Sequence, residues 1–170
     1  MEPLTWAFIG TVIGAVVGAG TSILTTVITS SNARKLQQSA SILERFEKAR
    51  EFQRNNLLNL QETLSVGMRL IVRAHLFDTE QFQKSEMDRR ISLLPEELNQ
   101  ELLNSSRQLS ILSERVSDDP LRKSIKSLRQ SMTDVLMSRT EQESFAAIKV
   151  ANTLFEETMG LLGKVLRENY

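Results

Sequence analysis

Cysteine is absent from this chain, which excludes disulfides and thiolate metal sites and suits either side of a bacterial membrane. Histidine occurs once, at His75, so no second imidazole exists to complete a metal cage or a di-iron Glu-x-x-His pair, and residue 72 is valine rather than glutamate. No net charge is left over: 21 Lys and Arg balance 21 Asp and Glu, and no overall field points to nucleic acid or to an acidic partner. Prolines number only 3, and of the 7 glycines Gly10, Gly14, Gly18 and Gly20 fall in one N-terminal stretch. No G-x-S-x-G elbow and no Gly-rich loop followed by Lys-Ser or Lys-Thr occurs, so neither an activated serine nor a phosphate cradle is written in the chain. The pairs Glu96-Glu97 and Glu156-Glu157 sit among helix formers and read as solvated faces.

What is present begins with a long run free of charge. Between Pro3 and Ala33 no side chain is ionisable, and Arg34-Lys35 close the run. A helix of about 24 to 27 residues there measures roughly 36 to 40 Å, against a hydrocarbon core of about 30 Å. The reading is a transmembrane anchor over residues 1–33, with the span at about 4–29 and the threonine-rich end among the headgroups. The small residues around Val17-Gly18-Ala19 suit a signal peptidase, but Glu2 is the only charge ahead of the run and the apolar character continues to Ile28, so a retained anchor is favoured. Trp6 suits one membrane interface, and Arg34 and Lys35 the other. Because the basic residues follow the span, the positive-inside bias places the N-terminus outside and residues 34–170 in the cytoplasm.

Within the span, Gly10, Gly14, Gly18, Ser22 and Thr26 repeat every fourth position. Such a ladder lets two helix backbones approach closely in lipid, and it predicts a homo-oligomer packed through Gly10, Gly14, Gly18 and Ser22.

Beyond the anchor the chain is rich in Leu, Glu, Gln, Arg and Lys and poor in strand formers, so the fold class is all-α. Leu36, Leu43, Leu57, Leu64 and Ile71 share one heptad position, and Phe46, Leu60, Gly67 and Ala74 another. Arg50 and Gln53 interrupt this seam, which reads as an exposed stretch between membrane and bundle, supported by pairs such as Glu44–Lys48. The first helix is predicted to end near His75, itself a helix-end or surface residue, with a turn at Phe77-Asp78-Thr79. A weak polar helix over Glu80–Leu93 follows, anchored by Phe82, Met87 and Ile91.

Pro95 then suits the first turn of a helix with the stripe Leu98, Leu102, Leu109, Leu112 and Val116. Ser117-Asp118-Asp119-Pro120 predicts an acidic cap with proline at the first helical position, and Leu121, Ile125, Leu128, Met132 and Val135 form the next stripe. Thr140-Glu141-Gln142-Glu143 reads as a capping box, opening a last helix with Phe145, Ile148, Phe155, Met159, Leu162 and Leu166. One apolar face per helix and short connections predict an antiparallel bundle of about four helices over residues 34–170, with the membrane-proximal helix longest.

Arg122, Lys123, Lys126 and Arg129 form a basic cluster without an intervening acid, with Arg122, Lys126 and Arg129 on one helical face. It is a candidate patch for anionic lipid or a partner; with no interleaved aromatics it does not suit nucleic acid. The layout is similar to that of small bacterial one-span proteins with a glycine-rich anchor and a helical tail, a resemblance that assigns no functional residue. The expectation is a non-enzymatic membrane-anchored interaction or scaffold protein without a cofactor, its partners being the bilayer, further copies of itself and an unidentified protein. No small-molecule substrate is evident. The alternatives are a membrane-active toxin or pore-forming lysis protein, and a membrane-tethered regulatory subunit of an enzyme.

Overall fold

The computed structural model describes residues 3–85 and 93–169, and among them every regular element is an α-helix. The helices are α1 (Pro3–Ser85), α2 (Glu96–Glu114), α3 (Asp119–Met137) and α4 (Glu141–Glu168). Two compact units divide the chain, Met1–Lys48 and Ala49–Tyr170.

The first unit is the N-terminal part of α1 alone. Leu36, Leu43 and Phe46 are 71%, 60% and 66% exposed there, although they share heptad positions with core residues farther along. Glu44 and Lys48 pair at 2.6 Å one helical turn apart.

The second unit is a helical bundle with one main core. Leu57, Leu60, Leu64 and Ile71 of α1 meet Leu109 of α2, Leu121, Ile125, Leu128 and Val135 of α3, and Ala151 and Leu162 of α4. Full burial of a side chain such as Leu128 contributes about 1.5–3 kcal/mol. A smaller cluster of Leu70, Ala74 and Leu98 joins α1 to α2. Polar contacts between these two helices run in opposite senses: Gln53 meets Arg115, Asn56 meets Leu112, and Arg73 meets Glu101. Helices α3 and α4 pack along their lengths, with Ser124 Oγ 2.7 Å from Thr158 Oγ1.

Several local readings need correcting. Phe77-Asp78-Thr79 is not a turn, because α1 continues through it to Ser85. Asp78 is buried, and the Thr79 hydroxyl donates to the His75 carbonyl at 2.9 Å, so residues that cap in water are here absorbed by the helix. The separate helix over Glu80–Leu93 is not seen as such: through Ser85 those residues belong to α1, and Met87 and Ile91 lie outside the described residues. Pro95 precedes α2 as its N-cap, and its carbonyl accepts from Asn99 N–H at 2.9 Å.

Asp118 caps α3, accepting from Leu121 N–H at 2.7 Å, and this starts the helix at Asp119 with Pro120 one position further in. Proline remains tolerated because the first-turn N–H groups have no intrahelical acceptor. At α4 the Thr140 hydroxyl accepts from Glu143 N–H at 3.2 Å, but the Glu143 carboxylate reaches back to Arg139 N–H at 2.8 Å rather than to the cap residue itself.

The five predicted apolar positions of α3 are all buried. In α4 the covered face is wider than the predicted stripe: Ile148, Phe155, Met159 and Leu166 pack half-buried against the core, Ser144, Ala151, Thr158, Leu162 and Val165 are buried, and Phe145 is 53% exposed. Gln53 also departs from its expected place. Arg50 is exposed, but Gln53 belongs to the bundle, donating to the Arg115 carbonyl at 2.9 Å and accepting from Ser117 N–H at 3.4 Å. With Asn56, which donates at 3.2 Å to the Leu112 carbonyl that also accepts from Arg115 N–H, it ties α1 to the C-terminal carbonyls of α2.

Candidate interaction surfaces

Among the described residues one helix, α1, is long and apolar enough to cross a membrane, and none of its apolar window is buried within the chain. Phe8, Val16, Val17 and Ile28 are all exposed. The hydroxyls of this stretch are bonded within the helix: Thr21 Oγ1 donates to the Val17 carbonyl, Thr25 Oγ1 to Thr21 at 2.8 Å, and Thr26 Oγ1 to Ser22 at 2.8 Å. Back-bonding of this kind removes the cost of placing a hydroxyl in hydrocarbon.

Gly10, Gly14 and Gly18 lie on the open surface of α1, where an added Cβ meets nothing within 4 Å, and Ser22 is likewise exposed. Arg34 and Lys35 are exposed at the charged end of the run. Trp6 lies within α1, its side chain outside the described part.

The four residues of the basic cluster have different neighbours. Arg122 is committed to the turn between α2 and α3: its Nη1 pairs with Asp119 at 2.8 Å, its Nε donates to the Val116 carbonyl at 3.2 Å, and its Nη2 donates to the same oxygen. Lys123 is exposed. Lys126 and Arg129 instead line a cleft of about 290 Å³ formed by α1, α2 and α3. Gly67 lies at its floor, where a Cβ would stand 3.1 Å from Ser105 Oγ and 3.4 Å from Leu109 Cδ1. The glycine is therefore a point of close approach between α1 and α2.

A wider groove of about 900 Å³ runs along the other side of α1 and α2, past Glu62, Arg69, Gln108 and the Arg73–Glu101 pair. Its two carboxylates, Glu62 and Glu101, offset its two guanidiniums, Arg69 and Arg73. The Arg73–Glu101 contact of 2.9 Å is exposed, and pairs of that kind contribute about 0–1 kcal/mol.

His75 is buried rather than at the surface. Its Nδ1 lies 2.7 Å from Ser144 Oγ, and its ring meets Phe145 edge-on at 5.0 Å. The enclosure of Ser144 makes this contact a structural tie between α1 and α4, with no approach for a substrate. Among the described residues no group of three His, Asp or Glu side chains is placed to hold a metal ion. Sequence patterning missed His75 and Ser144 because neither is apolar. Ser105 carried a signal, since it fills the gap at the core position between Leu98 and Leu109.

The chain matches no protein-family model, no curated protein and no solved structure.

Proposed function

We infer that this chain is a non-enzymatic, single-pass membrane protein whose helical bundle docks or scaffolds another protein at the inner membrane of a bacterium. The observation that carries this reading is the uncovered apolar surface that Phe8, Ile13, Val16, Val17, Val27 and Ile28 give α1, beside threonine hydroxyls bonded back to the helix. In water such a surface is an aggregation liability, and in lipid it is the normal state of a span. Arg34 and Lys35 orient the N-terminus outward and residues 34–170 to the cytoplasm. Copies of the chain associate through Gly10, Gly14, Gly18 and Ser22, whose lack of bulk leaves room for a second backbone.

Carbonate washing of membranes, followed by protease treatment of sealed vesicles, tests the anchor and its orientation. Retention in the pellet, with residues 34–170 digested only in inside-out vesicles, is the expected result. Release into the wash overturns the anchor. For the association, in-membrane cross-linking of the full chain is expected to fall at least fivefold in Gly14→Leu/Gly18→Leu, and an unchanged yield rejects the glycine face.

A further inference from the structure

We propose that the cleft between α2 and α3 binds an anionic amphiphile, an oxyanion head of phosphate type joined to a short apolar chain. Four observations converge on it. Lys126 and Arg129 stand at the cleft as neighbouring cations, and neither makes an ion pair among the described residues. No acidic residue lines the cleft. Its inner surface is apolar, contributed by Leu109 and Met132 beneath the missing Cβ of Gly67. Ser105, only 7% exposed, lines the same space, and its hydroxyl has no hydrogen-bond partner.

A buried hydroxyl without a partner carries a desolvation cost that native proteins rarely leave standing. The oxygen is closed to solvent in this rotamer, so it gains an acceptor from a ligand oxygen entering between Lys126 and Arg129 when the Ser105 side chain turns toward the cleft. The groove on the far side of Ser105 is the weaker host, since Glu62 and Glu101 offset its arginines. At roughly 30 Å³ per water-sized group, the cleft holds on the order of ten non-hydrogen atoms. That suits a head oxygen or two and six to eight carbons, more than a bare phosphate fills. The inference stands on residues of the second unit alone and does not depend on the anchor.

The test uses the full-length chain in nanodiscs of zwitterionic lipid, with methyl-labelled methionine and the Met132 methyl resonance as the local readout. Octyl phosphate is titrated beside octanol and inorganic phosphate. A saturable Met132 shift is expected with octyl phosphate, at a concentration at least tenfold below any effect of the other two. Lys126→Glu/Arg129→Glu, both at the cleft mouth, is expected to weaken it at least tenfold. Ser105→Ala is expected to weaken it about tenfold, the scale of one hydrogen bond to a charged group, while leaving the remaining methionine signals in place.

Nanodiscs made with phosphatidylglycerol distinguish the source. A Met132 shift without added ligand identifies a lipid headgroup, and a shift only with octyl phosphate identifies a soluble amphiphile. No saturable shift from either, an equal response to octanol, or a titration unaffected by both sets of substitutions overturns the proposal.

Discussion

Replacing Gly67 by alanine sets two opposing effects of known size against each other at one contact. In the interior of α1 alanine is favoured over glycine by about 0.8–1 kcal/mol. The new methyl would stand 3.1 Å from Ser105 Oγ, 3.4 Å from Leu109 Cδ1 and 3.6 Å from Met132 Cε. Only the first distance is tighter than ordinary packing, and overfilling of a packed contact costs about 1–3 kcal/mol. The single variant Gly67→Ala is therefore expected to lie between neutral and about 2 kcal/mol destabilised.

Ser105→Ala alone removes an unpartnered buried hydroxyl and is expected to stabilise by about 1 kcal/mol. In that background the tight contact is gone, so Gly67→Ala should now stabilise by about 1 kcal/mol, its full helix-propensity gain. The cycle thus has a coupling of about 1–3 kcal/mol favouring the double variant. Urea unfolding of the four proteins in one mild detergent, followed by circular dichroism, measures it. Equal effects of Gly67→Ala in both backgrounds would show that Ser105 does not set the approach of α1 and α2. Stabilisation by Gly67→Ala in the wild-type background would refute the crowding altogether.

Three further outcomes are expected from the same unfolding assay. Leu128→Ala, which empties a fully enclosed site, should cost about 2–5 kcal/mol, and a loss below 1 kcal/mol would contradict the assigned core. Asp118→Ala removes the acceptor for Leu121 N–H and should cost about 1 kcal/mol, with Asp118→Asn recovering most of it. Ser144→Ala withdraws the hydroxyl 2.7 Å from His75 Nδ1 inside the bundle and should cost about 1–3 kcal/mol, whereas a neutral result would mean the tie between α1 and α4 is made elsewhere.

Helix α3 was legible in full, because Leu121, Ile125, Leu128, Met132 and Val135 are the only large apolar side chains on a face that is wholly covered. Its start was legible to within one residue from Asp118 and Pro120. In helix α4 the large apolar residues from Ile148 to Leu166 mark one flank of the covered face, and the fully enclosed positions lie beside them. Beside Leu162 and Val165 these include Ser144, Ala151 and Thr158, small residues that let another helix come near and that a count of large apolar groups passes over.

The continuation of α1 past His75 was hidden for a related reason. Asp78 and Thr79 favour a helix start only when water can reach them, and here burial and an internal bond remove that option. Heptad spacing, in turn, names a face without saying whether anything lies across it: Leu57 and Leu64 are buried and Leu36 and Leu43 are not. Of the basic cluster, charge alone could not separate Arg122, spent on a carbonyl and Asp119, from Lys126 and Arg129 at the cleft.

The hydroxyl contacts inside the bundle also bear on how many alignments its helices can adopt. Leucine against leucine is satisfied after a slip of one turn, because any aliphatic neighbour is much like another. Ser124 facing Thr158 and Ser144 facing His75 are not so forgiving: shifting α4 by a turn breaks both at once and strands polar atoms in an oily setting. These few oxygens contribute little net energy in the correct arrangement, yet they penalise every neighbouring one, and so give a leucine-rich bundle a single resting position.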